Sequence, residues 1–287
     1  MSVVSRLMFS RWFRSRYGAQ PQQFPAKLTE PAKPGLSVVM ATFNEADLVV
    51  DCIESVADLA SEIVVVDGSS TDETIEVVHR YTDRVISTTN KLMLEKNKNL
   101  AIDAAEHEWV LVLDPDERVS SRLREEIAAV IANDSADFDA YWMPRRNYVF
   151  GSWLRTMGLY PAAQLRLVRR GRGRFGEDAL HQPMQVDGRV GFFTGDLIHA
   201  SRAEVAEQAH KRNLYSSHAA QRMHEQGLKF QWWRLLTEPP RDFTRQYFLM
   251  GGWLEGIAGL VYAALSGYGA FLRFAKLWEL ERRADRR

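Results

Sequence analysis

Cysteine is nearly absent from this chain of 287 residues, and neither sign of charge is in excess. The single cysteine, Cys52, excludes an internal disulfide, suits a reducing compartment and is best explained as a small buried hydrophobe. Because 37 Lys and Arg residues balance 37 Asp and Glu residues, net charge gives no indication of a nucleic-acid partner. No glycine-rich phosphate loop follows the first apolar run. This excludes a classical dinucleotide fold and a P-loop NTPase.

The composition is that of a globular protein, with 46% hydrophobic and 26% charged residues, but the N-terminus differs. Residues 1–17 contain four arginines and no acidic residue, and their apolar residues recur at helical spacing. This pattern predicts a basic amphipathic helix lying on an anionic membrane surface. A flexible tail, or a helix packed on the body of the protein, is the alternative. Residues 18–35 contain four prolines and are predicted to be a linker.

From residue 36 onward, short apolar runs alternate with segments of helical spacing. The runs predict strands at 36–42, 62–67, 84–88 and 109–114. Helices are predicted after the first two strands, over 96–106, and from Ser120 or Ser121 to about Ile131, with Thr71 as the N-cap of the second helix. Continuous apolar strands that alternate with helices indicate an α/β fold whose mostly parallel sheet is covered on both faces.

Polar clusters follow three of these strands at the point where each strand ends. They are Thr42, Asn44 and Glu45; Asp67 with Gly68, Ser69 and Ser70; and Asp114, Asp116 and Glu117. Because ligands bind at the carboxyl ends of parallel strands, these clusters should share one edge of the sheet. The carboxylates would repel one another unless a cation or hydrogen-bond donors were shared among them. Paired carboxylates beside phosphate are suited to magnesium or manganese.

Four segments, SVVMATFNE, EIVVVDGSSTDET, KNKNLAIDAA and WVLVLDPDE, resemble the family 2 glycosyltransferases in their order and spacing over residues 36–120. Segments in the second half, among them PRRNYVFGSWL, AQLRLVRRGRGRF and LIHAS, resemble the lipopolysaccharide core β-1,4-glucosyltransferase branch of that family. The resemblance implies a GT-A, Rossmann-like catalytic domain over residues 36–200. It also implies a C-terminal helical region, associated with the membrane interface, over residues 201–287.

The resemblance implies donor-binding roles for five residues. Asp67 would hydrogen-bond the nucleotide base, and Thr42 and Glu45 would border the nucleoside. Lys98 and Asn99 match a basic residue and an asparagine that help to fix the donor. The ordinary alternatives are a helix cap for Asp67 and an exposed helix face for Lys98 and Asn99.

The resemblance also implies a metal site. Asp114 and Asp116 match the two aspartates of a DxD motif, in which Asp116 would ligate a divalent cation and Asp114 would contact ribose or metal-bound water. The cation would neutralise the growing charge of the nucleoside diphosphate leaving group. His199 is a further candidate ligand of the metal or the diphosphate, and Lys211 and Arg212 are candidates for binding phosphate.

The catalytic base is expected in the segment FGEDALHQ, at Asp178 first, then Glu177, with His181 as a third candidate. Transfer in this fold class resembles a single in-line displacement with inversion, which needs one base for the acceptor hydroxyl. Related enzymes often carry an acidic residue directly after this histidine, whereas Gln182 stands here. A solvated loop is the alternative for the acidic pair, as is a solvated turn for the run RRGRGR at 169–174.

Residues 246–275 are apolar, contain six glycines and approach the length of a membrane span. Glu255 opposes a span, because an unpaired carboxylate in hydrocarbon is costly. The sequence predicts two helices, separated at Ser266 and Gly267, that lie in or dip into the membrane interface. A buried helical pair packed on the catalytic domain is the alternative.

These expectations combine into an inverting, divalent-metal-dependent glycosyltransferase. It would move a hexose, glucose by resemblance, from a UDP-sugar to a glycolipid or lipopolysaccharide-core saccharide. Its partners would be the nucleotide sugar, the lipid-linked acceptor and the inner face of the cytoplasmic membrane, with no nucleic acid. One rival is a glycosyltransferase that uses a polyprenyl-phosphate acceptor. The other is a nucleotide-sugar-binding subunit without catalysis, for which the Gln182 departure leaves room.

Overall fold

The computed structural model describes residues 32–89, 94–133, 137–176, 183–200 and 204–284. The predicted N-terminal helix and nearly all of the predicted linker lie outside these residues. The described chain forms two compact units, which we call the sheet unit (up to 143, and 164–196) and the helical unit (144–163, and from 197). The predicted division at residue 200 differs from this one, because residues 149–157 pack against apolar residues of the C-terminal helical region, and residues 197–199 pair with residues 145–147.

The helices and strands match the predicted alternation in the first half of the chain. A π-helical turn, Arg245–Leu249, and a 3₁₀ turn, Gly252–Glu255, precede the last helix. In chain order the elements are β1 (Lys33–Thr42), α1 (Ala46–Glu54), β2 (Glu62–Asp67), α2 (Thr74–Val78), β3 (Val85–Ser87), α3 (Leu94–Ala104), β4 (His107–Leu113), β5 (Glu117–Val119), α4 (Ser121–Ala132), β6 (Ala140–Met143), β7 (Arg145–Val149), β8 (Ser152–Trp153), β9 (Gln164–Arg169), β10 (Gly173–Phe175), β11 (Met184–Val186), β12 (Val190–Phe192), β13 (Leu197–His199), α5 (Val205–Glu225), α6 (Arg234–Thr244) and α7 (Gly256–Ala284).

The sheet unit is built on a mixed sheet whose described strands follow the order β12-β6-β9-β4-β1-β2-β3. β4, β1, β2 and β3 are parallel, as predicted, and they are the four strands read from the sequence. β9 is antiparallel to both β4 and β6, and it returns from the second half of the chain to the middle of the sheet. The parallel strands therefore end on one edge, where the polar clusters follow them.

The buried apolar runs explain why this sheet forms. Val38, Val39, Val64 and Val110 are fully buried, and Cys52 is buried among the apolar residues of α1, as its residue type suggested. Ser120 caps α4 by accepting a hydrogen bond from the backbone N–H of Leu123, which confirms the predicted start of that helix.

The second helix begins later than predicted. α2 starts at Thr74, and Glu73 is its N-cap residue, so the prediction of Thr71 as N-cap was wrong. The physical reason is that Thr71 is bound to the loop after β1, because its backbone N–H and its hydroxyl both donate to the Asn44 side-chain oxygen, at 2.8 Å and 3.4 Å. Asp72 instead accepts from the backbone N–H of Thr74 at 3.1 Å.

The helical unit contains the ladder β13-β7-β8 and the three C-terminal helices. α7 packs along both α5 and α6. Lys276 fixes α7 on α5, because its ammonium donates to the Asn213 carbonyl at 2.5 Å, the Ser216 hydroxyl at 2.8 Å and the Ser217 hydroxyl at 2.7 Å.

α7 is one continuous helix, so the predicted break at Ser266 and Gly267 was wrong. A Cβ at Gly267 would lie 2.9 Å from the backbone oxygen of Pro239, so the glycine permits close packing against α6. The chain instead bends before α7, where Gly251 (φ 79°) and Gly256 (φ 60°) adopt conformations that favour glycine.

Candidate active site

Side-chain hydrogen bonds join the carboxyl ends of β1 and β2. Thr42 and Asp67 are opposite one another in the parallel pairing, and the Thr42 hydroxyl donates to the Asp67 carboxylate at 3.2 Å. The backbone N–H and the hydroxyl of Ser70 donate to the same carboxylate at 2.8 Å and 2.5 Å. Asp67 is 1% exposed, so it fixes the loop after β2 rather than capping α2.

The loops that follow β1 and β2 are also bound to each other. Asn44 has a left-handed backbone (φ 57°), which asparagine tolerates better than most residues. Its backbone N–H donates to the Ser70 hydroxyl at 2.9 Å, and the next residue, Glu45, donates its backbone N–H to the Thr74 hydroxyl at 2.8 Å. Glu45 is therefore held at the carboxyl edge of the sheet, at the entrance to α1.

Two cations and two carboxylates form a buried charge cluster at the carboxyl end of β4: Asp114, Glu117, Lys98 and Arg166. Lys98 forms an ion pair with one Asp114 oxygen, and Arg166 forms an ion pair with the other. The same Arg166 nitrogen lies 2.8 Å from Glu117, which also accepts from the backbone N–H of Asp114 at 3.1 Å. The charge cluster is formally neutral, which explains how carboxylates can end a buried strand.

The ion pairs of the charge cluster shift the pKa values of its members. Burial opposes ionisation of Asp114, but Arg166 and Lys98 outweigh burial and hold the pKa of Asp114 well below its usual range. Burial acts to lower the pKa of Arg166, but Asp114 and Glu117 outweigh it and raise that pKa above its usual range. Asp114 is therefore ionised at physiological pH and is unsuited to proton transfer.

Glu45 lies near the charge cluster and has a strongly shifted pKa. Burial raises the pKa of Glu45 to about 7, with the negative charges of Asp116 and Asp114 adding to the rise and Lys98 opposing it. Glu45, Asp114 and Asp116 thus bring three carboxylates close together at this edge. Carboxylates this close favour a shared cation.

The residues at this edge fit a divalent cation only in part. No group of three or more His, Cys, Asp or Glu side chains able to hold a metal is found among the residues that the structure describes. Asp116 and Glu45 offer oxygen donors, which Mg²⁺ and Mn²⁺ prefer. Mg²⁺ is commonly bound by one or two carboxylates together with substrate phosphates, and the donor set here suits that arrangement.

Lys98 and Asn99 are buried and do not lie on an exposed helix face, since they are 8% and 1% exposed. The Asn99 side chain donates to the Phe175 carbonyl at 3.0 Å and accepts from the Phe175 backbone N–H at 2.9 Å. The Lys98 ammonium lies 5.5 Å from the centroid of the Phe175 ring. α3 thus anchors the end of β10. The three candidates for the catalytic base, Glu177, Asp178 and His181, lie outside the described residues.

Three other predicted site residues belong to the helical unit. His199 Nδ1 lies 2.9 Å from the side-chain oxygen of Asn147. Lys211 forms an ion pair one turn back along α5 at 2.6 Å, and the Arg212 guanidinium lies 5.0 Å from the centroid of the Tyr262 ring. These contacts give each residue a local partner, and their roles toward metal or phosphate remain predictions.

The arginine-rich turn after β9 is a set of ion pairs, which favours the solvated-turn interpretation of RRGRGR. Residues 171–176 do match the spacing GxGxxG, but they form this turn and β10, not the strand-to-helix junction of a dinucleotide site. The pairs are Arg169 with Glu108, Arg172 with Asp187 at 3.1 Å, and Arg174 with Asp103 at 2.7 Å.

Arg166 is the site residue that the sequence did not indicate as functional. It is 4% exposed and lies in the middle of β9, whose other central residues are apolar. A charged residue within a buried strand needs a partner of opposite charge, and this was the available signal. The partners, Asp114 and Glu117, follow β4 and become neighbours only through the antiparallel pairing of β9 with β4.

A comparison with known protein families identifies the family of this chain. The chain matches the model of the family described as Glycosyl transferase family 2 over residues 37–197, which is more than half of its length. The chain belongs to glycosyl transferase family 2. This glycosyltransferase therefore has the expected GT-A fold, and the mostly parallel sheet described above is that of the fold.

Relatives of this glycosyltransferase cover most of its length. It is 32% identical over 252 residues to a lipopolysaccharide core biosynthesis glycosyltransferase, LpsC, of Rhizobium meliloti, with 85% of this chain and 92% of the relative covered. It is 29% identical over 255 residues to a glycosyltransferase of Rickettsia typhi, with 85% and 87% covered. A solved mannosyltransferase of Pyrobaculum calidifontis, in complex with GDP-Man and Mn²⁺, is 17% identical, with a TM-score of 0.46 and coverage of 96% and 83%.

Proposed function

We propose that this glycosyltransferase is divalent-metal dependent and inverting, and that it moves a hexose from a UDP-sugar to a saccharide of a membrane glycolipid. Glucose is the leading sugar and a lipopolysaccharide core is the leading acceptor. The observation that carries the proposal is the grouping of carboxylates at the sheet edge. The charge cluster fixes Asp114, and burial together with the charges of Asp116 and Asp114 raises the pKa of Glu45.

The donor is bound by residues from the ends of three parallel strands. Asp67 and Thr42 form the rigid floor that recognises the nucleoside, with Asp67 directed to the base by its bonds to Ser70. Lys98 is positioned to meet the phosphates while it neutralises Asp114. Asp114 serves as the fixed anchor of the loop, and its remaining acceptor capacity is directed to the ribose or to a metal-bound water.

Asp116 is the proposed direct metal ligand, with Glu45 as the neighbouring carboxylate. When bound, a divalent cation supplies electrostatic stabilisation of the diphosphate leaving group without a proton. Glu45 should respond to cation binding. A cation at Asp116 would cancel the negative charge that, after burial, does most to raise the pKa of Glu45. His199 remains the further candidate ligand.

The acceptor hydroxyl needs a base, and Asp178 is the first candidate, followed by Glu177 and His181. Asn99 fixes the chain just before these candidates, because its side chain bonds both the carbonyl and the backbone N–H of Phe175. In-line attack by the deprotonated hydroxyl on the anomeric carbon, with departure of UDP on the opposite side, inverts the configuration.

The relative named for lipopolysaccharide core biosynthesis supports the choice of acceptor, since it aligns over 85% of this chain. A core saccharide carried on lipid places the reaction at the cytoplasmic face of the inner membrane. The proposed location is therefore cytoplasmic and peripheral to that membrane.

Transfer of labelled sugar tests the proposal directly. The enzyme is incubated with labelled UDP-glucose, Mn²⁺ and truncated lipopolysaccharide, in parallel with polyprenyl phosphate as acceptor and with EDTA. Labelled lipopolysaccharide that depends on Mn²⁺ and on Asp116 supports the proposal. Label on polyprenyl phosphate would replace the acceptor, and UDP-glucose binding without transfer or hydrolysis would indicate a non-catalytic subunit.

A further inference from the structure

One face of α7 is apolar, aromatic and exposed along most of the helix. Ile257, Leu260, Tyr268, Phe271 and Trp278 recur at spacings of about three, four or seven residues and their multiples, so they lie on one stripe. At about 1.5 Å per residue, this stripe is about 32 Å long. Opposite it, the buried side of α7 packs along α5 and α6. The stripe is therefore a surface of the helical unit, not part of its core.

The turns before α7 extend this apolar surface. Phe248, Leu249, Trp253 and Leu254 are all more than half exposed, and Leu249 and Ile257 are 79% and 80% exposed. Their segment is fixed from within, because the Glu255 carboxylate accepts backbone N–H groups of Arg155 and Thr156, each at 2.9 Å. We call these four residues together with the α7 stripe the apolar face. The apolar face groups nine exposed apolar residues, whereas exposed apolar residues on an ordinary protein surface are scattered singly.

The charge around the apolar face is positive. Residues 229–284 contain eight Lys and Arg and five Asp and Glu, a net charge of +3. The five acidic residues each have a described contact: Glu238 with Arg241, Asp242 with Arg273, Glu279 with Arg283, Glu281 with the Phe230 backbone, and Glu255 as above. Arg245 is exposed beside the turns, and the Arg282 guanidinium lies 5.0 Å from the centroid of the Trp278 ring. Basic groups therefore border the face at both ends.

The packing of α7 decides how the apolar face meets lipid. Residues 252–283 form the one segment of the described chain that is long and apolar enough to cross a membrane, and 28% of its most apolar window is buried. α7 is packed along α5, however, which carries Glu207, His210, Lys211, Arg212 and Arg222. A spanning α7 would take these polar side chains into hydrocarbon, which is costly. A helix with one apolar side and one protein-packed side suits the plane of the interface.

We propose that the apolar face docks this glycosyltransferase on an anionic lipid bilayer, with α7 in the plane of the interface. Tryptophan, tyrosine and arginine at its border match the headgroup region, and the net positive charge is complementary to anionic lipid. Pairing of two copies through this face would instead bring two positive surfaces together. The inference rests on the proposed function, since a lipid-linked acceptor is what brings the enzyme to a membrane.

Sedimentation with sucrose-loaded vesicles tests the proposal, using phosphatidylcholine vesicles with and without phosphatidylglycerol and the full chain without nucleotide. The test variant is Leu249→Ser with Ile257→Ser, and the matched control is Ile86→Ser in β3, a residue that is 38% exposed. We expect binding to anionic vesicles, reduced by about tenfold or more in the double variant and unchanged in the control. Arg245→Gln with Arg282→Gln should reduce anionic-vesicle binding severalfold, with Arg80→Gln as its control.

Each other result contradicts the proposal. Equal binding of the double variant would remove the apolar face from the interaction, and so would a lack of wild-type binding to either vesicle. A wild-type dimer that the double variant dissociates, measured by light scattering, would identify a second copy as the occupant. Resistance of bound protein to alkaline carbonate would indicate a span. UDP binding, measured on the same samples, checks folding and separates a failure here from a failure of the proposed donor site.

Discussion

Arg166, from the antiparallel strand β9, forms an ion pair with Asp114 at the end of the parallel strand β4. The same guanidinium binds Glu117, so one buried arginine is shared between two of the carboxylates that follow β4. Lys98 supplies the second cation. The first aspartate of the Asp-Pro-Asp sequence is therefore fixed by protein charges, and we propose the second aspartate, Asp116, as the metal ligand.

Arg166→Met should destabilise the protein by about 3–5 kcal/mol, because Glu117 would remain buried without the cation that pairs with it and Asp114 would keep only Lys98. Arg166→Lys should recover part of this loss, since it keeps the charge but not the geometry. Urea unfolding followed by circular dichroism measures both. Arg174→Met is the control, because its pair with Asp103 is exposed and should contribute less than about 1 kcal/mol. Equal costs for Arg166→Met and Arg174→Met would disprove the structural importance of the charge cluster.

Lys98→Met should weaken UDP binding by about 10- to 100-fold, the loss typical of a hydrogen bond to a charged group. The reason is twofold: the ammonium is proposed to meet the phosphates, and its loss leaves Asp114 to repel them. Calorimetric titration with UDP measures the effect. Lys96→Met, on the same helix, should bind UDP as the wild type does. Unchanged affinity in Lys98→Met would place the phosphates elsewhere.

Glu45→Gln should change how stability depends on pH. Because the folded pKa of about 7 lies above the unfolded value of 4.5, the native state loses stability as pH rises through this window. Replacing the carboxyl removes that loss, so the variant should gain about 1–3 kcal/mol over the wild type between these pH values. Urea unfolding in EDTA from pH 4 to pH 8 is the measurement. Glu76→Gln, an exposed change on α2, should follow the wild-type curve, and a constant offset for Glu45→Gln would contradict the shifted pKa.

Glu255→Ala should loosen the chain before α7, because two backbone N–H groups at residues 155 and 156 lose their acceptor. The expected cost is about 1–3 kcal/mol. Hydrogen exchange detected by mass spectrometry should show faster exchange in the peptide that contains these residues. Glu279→Ala, which removes an exposed pair with Arg283, is the control and should leave that peptide unchanged. Slow exchange in both variants would mean that Glu255 does not hold the segment.

The parallel half of the sheet could be predicted from sequence because its signals are local. Each of β1, β2 and β4 is an apolar run followed at once by polar residues, so Asp67 and Asp114 could be assigned to one sheet edge. The burial of Lys98 could not be predicted in this way. Its partner is Asp114, on another element, and Lys98 lies in a run of five polar residues, 95–99, as is typical of an exposed helix.

The remaining features depend on tertiary contacts between distant residues. Arg166 reaches the site only because β9 is inserted beside β4, and an apolar run does not reveal whether its strand is antiparallel. Ser266 and Gly267 resembled a helix break, yet the glycine serves close contact with Pro239. The base candidates Asp178, Glu177 and His181 lie outside the described residues, and their assignment remains a prediction from the resemblance.

The most direct test is calorimetric titration of the purified protein with UDP, in Mn²⁺ and in EDTA, for the wild type and for Asp116→Ala. If Asp116 holds a divalent cation against the diphosphate, binding should be strong in Mn²⁺, weak in EDTA, and equally weak in Asp116→Ala under both conditions. Tight binding that is indifferent to both the metal and Asp116 would contradict the account, because the carboxylates at the sheet edge would then have no part in binding the donor.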